Sequence, residues 1–478
     1  MTTAVISKKD TLCRRIVDWG IVGLIVFSPL PAASVYEWSI FIIQITVLAM
    51  MIAYLLLNTK PPVNKLLLSS LKWPKYLFIG FFIFILLQII PLPKLLVKVL
   101  SPNSYSFREM FSIGLSDSKF ISLSVVPAHT LQQGLEIFTY FLLGFLIIKT
   151  VVSQLQIRRI FYALIGMGIF QAFYGLFELY NKNPRILFYK KAYNLDSVCG
   201  TFVNRNHLSG YLEMIIPLAI GLIIARIDLF SFAGMKIKEK ILQLAEKGLA
   251  VNLLLSFSIL GMSLAVIFSK SRSGVFVLVF TFILMFEFTV FYFGKQKQQK
   301  EWVTKFLKIM FITIIIISLY IGIGATLERF ALNKVLKVDR VPVWNFTLKI
   351  ISDFPLVGSG LGTYASVFLA YDNRGRLSIY SHAHNDYLEY LSDLGIIGLL
   401  LLLGAVLFII IKAFSVWRTR GHPEVKGLAL GGIVAVINIL IHSITDFNLQ
   451  IPANMLLFTV ILSLTIVMVF YKKRSEKV

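Results

Sequence analysis

Apolar blocks of about 20 residues recur from one end of this 478-residue chain to the other, each long enough to cross a bilayer as a helix. The runs are continuous rather than alternating, which excludes a β-barrel. Inside lipid a helix satisfies its own backbone groups, so the pattern predicts an all-α polytopic membrane protein. Twelve spans are expected, near 16–30, 37–57, 75–91, 131–151, 158–180, 208–225, 249–269, 273–293, 306–324, 388–411, 426–445 and 451–471. The first follows Lys8, Lys9, Arg14 and Arg15 in the manner of a signal peptide, but with so many spans behind it an uncleaved helix is expected. Residues 1–478 are read as one integral membrane domain, in which the long connection 325–387 between spans nine and ten forms a lid on the outer face.

A net charge of +23 would ordinarily point to nucleic acid, but here the Lys and Arg residues lie in the connections between apolar blocks. Alternating the connections assigns 29 of them to the side holding both termini and 18 to the other, so both termini are expected to be cytoplasmic and no nucleic-acid partner is implied. The kind of cation also differs: arginine is 8 of the 29 but 8 of the 18. On the outer side Arg205, Arg272, Arg340, Arg374 and Arg376 are candidates for bidentate recognition of phosphate. Taken singly, each also fits a helix cap or a solvated ion pair; the group is harder to dismiss. Cys13 and Cys199 fall on opposite sides, which leaves no disulfide framework or cysteine metal site.

The densest chemistry is at Ser381-His382-Ala383-His384-Asn385-Asp386-Tyr387, where a polar segment meets span ten. Ser381 and Asn385 suit an N-cap, and Asp386 and Glu389 suit a first helical turn, so a helix enters the membrane here with its positive end at the water boundary. An imidazole there can accept a proton from a hydroxyl, or simply cap the helix. On a helix His382 and His384 point apart, so only one would face a site; Tyr387, Leu388 and Leu391 place His384 above the packed face. A second polar segment, 200–212, offers Arg205 and His207, and Glu213 just inside span six needs a partner, for which Arg205 is nearest in sequence. Ser271-Arg272-Ser273-Gly274 holds an arginine in a very tight outer turn, and Arg340-Val341-Pro342-Val343-Trp344 opens an amphipathic stretch ending at a glycine-rich turn, 355–362. Those glycines are too weak a signal for a nucleotide loop. The outer connections hold no Asp-x-Asp pair or dense carboxylate cluster, so no metal and no cofactor is expected, and arginines must balance any leaving phosphate.

Together and in order, Gly-Thr-Phe-x-Asn-Arg-Asn-His-Leu-x-Gly-Tyr-Leu (200–212), Ser-Arg-Ser-Gly (271–274), Arg-x-Pro-x-Trp with the glycine turn (340–362) and His-Ala-His-Asn-Asp-Tyr-Leu (382–388) resemble the O-antigen ligase and Wzy-type polymerase family. The resemblance implies an inverting, metal-independent glycosyltransferase of the bacterial inner membrane that uses undecaprenyl-diphosphate-linked glycan at the periplasmic face. Its acceptor would be lipid A core in a ligase or a growing glycan in a polymerase, and membrane lipids surround it. By the same resemblance His384 is the base and Arg272 and Arg340 bind diphosphate, while Arg205 and His207 fall in a family motif and His382 stands where the family often has a small polar residue. From its place on the outer side Arg205 is added to the diphosphate binders, and His207, His382, Asn385, Tyr387 and Arg376 are supporting candidates. A transporter or flippase for the same lipid-linked glycan is the rival from another class, although it would place its polar groups nearer the midplane.

Overall fold

The computed structural model describes residues 7–111, 118–181, 184–226, 249–292, 297–321, 324, 340–372, 380–420 and 422–471. The protein is all-α. Its helices in chain order are α1 (Lys8–Phe27), α2 (Glu37–Leu55), α3 (Lys65–Ser70), α4 (Lys72–Ile89), α5 (Lys94–Leu100), α6 (Pro102–Phe111), α7 (Pro127–Thr150), α8 (Gln154–Tyr180) and α9 (Arg205–Ala225). They continue with α10 (Leu249–Phe268), α11 (Arg272–Tyr292), α12 (Lys297–Ile321), α13 (Arg340–Asp353), α14 (Tyr364–Tyr371), α15 (Asp386–Arg418), α16 (Pro423–His442) and α17 (Pro452–Phe470). Two small antiparallel ribbons, β1 (Leu92–Pro93) with β2 (Phe120–Ile121) and β3 (Arg185–Ile186) with β4 (Tyr189–Lys190), and two single-turn 3-10 helices, Ala32–Ser34 and Asn448–Gln450, complete the described elements.

Among the described residues, eleven helices are long and apolar enough to cross a membrane: α2, α4, α7 to α12 and α15 to α17. The twelfth expected span, α1, is a helix of 20 residues, but Lys8, Lys9, Asp10, Arg14, Arg15 and Asp18 shorten its apolar run. Its buried Val17, Ile21, Leu24 and Ile25 recur at helical spacing and pack it against α2, α7 and α8. One face of the bundle gathers both ends of the chain. There the Asp10 carboxylate accepts the Asn58 and Thr59 N–H groups at 3.1 and 2.9 Å, and Asn64 donates to the Phe470 carbonyl at 2.8 Å.

Helix α9 is the centre of the bundle. Its residues from His207 to Ile224 are all buried, as expected of a helix that is apolar all round. It meets α16 backbone to backbone: a Cβ on Gly221 would stand 2.4 Å from the Gly427 carbonyl oxygen, and one on Gly431 2.5 Å from that of Pro217. Small residues let membrane helices approach this closely, and dispersion contacts then hold them.

The 33-residue α15 is interrupted at Gly395, whose φ of 60° and ψ of −174° leave the helical region. A break inside a membrane frees backbone groups that must be satisfied by protein. The glycine turn does this: Ile396 and Ile397 donate to the Pro355 and Leu356 carbonyls at 2.9 and 3.2 Å, while Ser359 and Gly360 donate to those of Ser392 and Asp393 at 2.9 Å each. Asp393 also accepts the Gly362 N–H at 2.7 Å. The turn therefore docks α13 and α14 onto the start of α15, directly over the face opposite the chain termini.

Candidate active site

Four helices begin at this face with the residues singled out above. Arg205, Arg272 and Arg340 are the first residues of α9, α11 and α13, and His384 stands two positions before α15. Each helix start presents unsatisfied N–H groups and the positive end of its dipole. The four starts converge on the short turn between α16 and α17. Arg340 donates from Nη1 to the Thr445 carbonyl, and its Nη2 lies 3.2 Å from Asp446 Oδ2. Asn206, beside Arg205, donates to the same carboxylate oxygen. Ser273, beside Arg272, places its hydroxyl 2.7 Å from that of Thr445. His384 Nδ1 is 3.4 Å and His207 Nε2 3.7 Å from Asp446 Oδ1, which also accepts the Phe447 N–H at 2.9 Å.

Burial alone would push the Asp446 carboxyl up, but its contacts with His207 and His384 and the Arg340 charge together hold it well below the usual carboxylate range. It is therefore an anion at neutral pH. Arg205 and Arg272 differ from Arg340: both are half-buried, and neither has a hydrogen-bond acceptor or ion-pair partner among the described residues. Arg272 lies within electrostatic reach of both Arg205 and Arg340. The nearby acid Asp196 is already committed to Lys270, at 2.8 Å. The two guanidinium groups are thus placed to meet an anion.

The three histidines share one aromatic ring. His382 stacks on Phe447 with centroids 4.1 Å apart, while His207 and His384 meet it edge-on at 4.6 and 4.9 Å. The expectation that His382 and His384 diverge is therefore corrected. Both precede the helix, and His384 adopts a left-handed φ of 52°, which folds the two rings to the same side. Such a conformation in a residue other than glycine costs about 1–3 kcal/mol and persists only where the surroundings fix it. Here Glu389 grips the segment, accepting the Ala383 N–H at 2.8 Å with one oxygen and facing His382 Nδ1 at 2.8 Å with the other. Trp344 donates to the Ala383 carbonyl at 3.0 Å from the opposite side. Burial works to lower the His382 imidazole, but the Glu389 carboxylate outweighs it and raises the group above its ordinary value.

Asn385 is the N-cap of α15, accepting the Leu388 N–H at 3.1 Å, and the Tyr387 hydroxyl donates to the Leu440 carbonyl at 2.7 Å; both hold the helix start in place. Arg374 and Arg376 lie outside the described residues. Glu213 takes a different partner from the Arg205 expected of it: its carboxylate faces His442 Nδ1 at 2.8 Å, with both side chains fully buried. Since the His442 carbonyl accepts the Thr445 and Asp446 N–H groups at 2.9 and 3.2 Å, this pair lies directly beneath the turn that carries Asp446. Asp446 itself has no counterpart in the sequence reading. The signal was a lone acid in a short connection between two apolar runs, without Lys or Arg to balance it.

No curated protein matches the chain. A family model described as O-antigen ligase matches residues 257–403, a stretch that holds Arg272, Arg340, the glycine turn, His382 and His384. Over residues 257–403, from within α10 into α15, the chain is thus similar to the O-antigen ligase family.

Proposed function

We propose that this protein is an inverting, metal-independent glycosyltransferase that moves glycan from undecaprenyl diphosphate onto an acceptor hydroxyl at the periplasmic face of the bacterial inner membrane, acting as an O-antigen ligase on lipid A core. The observation that carries this reading is the sharing of one ionised carboxylate: Asp446 faces Arg340 through one oxygen and His384 through the other, while Arg205 and Arg272 stand alongside with no hydrogen-bond acceptor among the described residues. Asp446 holds the proton of His384 on Nδ1 and leaves Nε2 free to accept. The acceptor hydroxyl gives its proton to Nε2 as its oxygen attacks the anomeric carbon. The bond to the diphosphate breaks on the opposite face, so a single displacement inverts the centre. Asp446 stabilises the imidazolium, and charge developing on the departing diphosphate is met by Arg272, Arg340 and Arg205 and by the helix starts that carry them. Residues 325–387, of which 325–339 and 373–379 lie outside the described residues, act as the lid, with α13 and α14 as its frame, and both termini are cytoplasmic.

The test uses purified protein in nanodiscs with defined undecaprenyl-diphosphate-linked donor. His384→Ala is expected to lower the transfer rate by about 10²–10⁴-fold, the range for loss of a general base. Arg272→Ala is expected to raise the donor KM as well, because it removes charge from ground state and transition state alike. Retained transfer in His384→Ala, with lipid movement impaired instead, would establish the transporter reading. Consumption of lipid A core identifies a ligase, and lengthened lipid-linked chains a polymerase.

A further inference from the structure

The β3–β4 ribbon is built for a different medium from the loops around it. Ile186 pairs with Tyr189, so the turn consists of Leu187 and Phe188 alone. Leu187 takes a positive φ of 51°, a position that two-residue hairpins ordinarily give to glycine or asparagine. Phe188, at the tip, is 89% exposed. A strained leucine beside a bare phenylalanine is unfavourable in a turn standing in water and suited to one standing in lipid. Depth is set by α8. Glu178 accepts the Arg185 N–H near the end of that helix, and one helical turn deeper the Tyr174 hydroxyl donates to the Arg185 carbonyl and accepts the Leu187 N–H, both at 2.9 Å. Tyr174 precedes the helix end at Tyr180 by six residues, or about 9 Å of rise. The ribbon thus doubles back along a spanning helix on which Phe173 and Phe177 are exposed. Its Tyr189 ring lies 5.9 Å from that of Tyr36 at the start of α2, next to exposed Trp38. Aromatic residues at this level mark the bilayer boundary, and exposed Arg185 and Lys190 suit anionic headgroups.

We propose that this hairpin is a membrane anchor that inserts Phe188 among the phospholipids of the leaflet on the site face. The same loop runs on to Asp196, whose bond to Lys270 lies two residues from Arg272, so the anchor ties the arginine cluster to headgroup level. Both native cysteines are buried, so F188C gives a single reactive thiol for an environment-sensitive NBD dye in nanodiscs containing phosphatidylglycerol. Dye at position 188 is expected to emit at blue-shifted wavelength, to be quenched by doxyl-labelled lipid as dye at F177C is, and to resist iodide. Quenching by iodide with no response to doxyl lipid would overturn the proposal. Adding Tyr174→Phe should release the hairpin and restore iodide quenching; an unchanged signal would overturn the role of α8 in setting its depth.

Discussion

Asp446 meets Arg340 on one oxygen and two histidines on the other, partners that all lie far from it in sequence. Asp446→Asn keeps the shape but removes the charge that supports an imidazolium at His384. We expect the transfer rate to fall by about 10²-fold or more with the donor KM less affected, measured in single turnovers with saturating donor. The aspartate's stabilising contribution is present above the ordinary carboxylate value of 3.8 and is lost only as pH falls through its lowered one. His382 behaves in the opposite sense. Its pairing with Glu389 stabilises the fold fully below the ordinary imidazole value of 6.5 and is lost as pH rises through the raised one. Thermal unfolding followed against pH should therefore show wild type losing its advantage over Glu389→Gln as the solution becomes alkaline; parallel curves would refute the pairing. The arginines and histidines were legible because their types and outer placement are unusual. Asp446 was not, because a lone acid between two apolar runs looks like an ordinary turn residue until its partners, distant in sequence, fold around it.

At the level of elements, the break in α15 was hidden for a related reason. Leu394-Gly395-Ile396-Ile397-Gly398 reads as an uninterrupted membrane helix, and its partner, the glycine turn, lies some thirty residues earlier. Hydropathy reports what a segment prefers to be surrounded by, and says nothing of backbone bonds supplied from elsewhere. The glycines of the turn, too weak a signal for a nucleotide loop, serve close packing with this break: a Cβ on Gly395 would stand 2.4 Å from the Leu356 backbone. Gly395→Ala should destabilise by at least about 1–3 kcal/mol from its conformation alone, seen as a lower melting temperature in detergent, and should loosen the whole lid frame. Helix α1 shows the converse. Its charges conceal a bundle member by composition, yet the periodicity of Val17, Ile21 and Leu24 reveals the buried face.

Across the whole molecule the spans were readable because length and apolarity are enough to define them, whereas the order in which they pack was not. The fully enclosed α9 carries Arg205 and His207, and α16 leads into Thr445 and Asp446, so the two central helices hold opposite halves of the site. Gly221, Gly427 and Gly431 seal the seam between them. Gly427 lies fifteen residues before His442, about 22 Å away along the helix. Gly427→Ala should nonetheless slow transfer by about tenfold in the nanodisc assay while leaving expression intact, since a small displacement of reacting groups is enough to do so. A single methyl group there would act as a wedge at the far end of a rigid lever, prising the guanidinium-bearing rod from the carboxylate-bearing one. With those two rods locked, Arg205 at the head of one and Asp446 just past the end of the other keep a fixed separation.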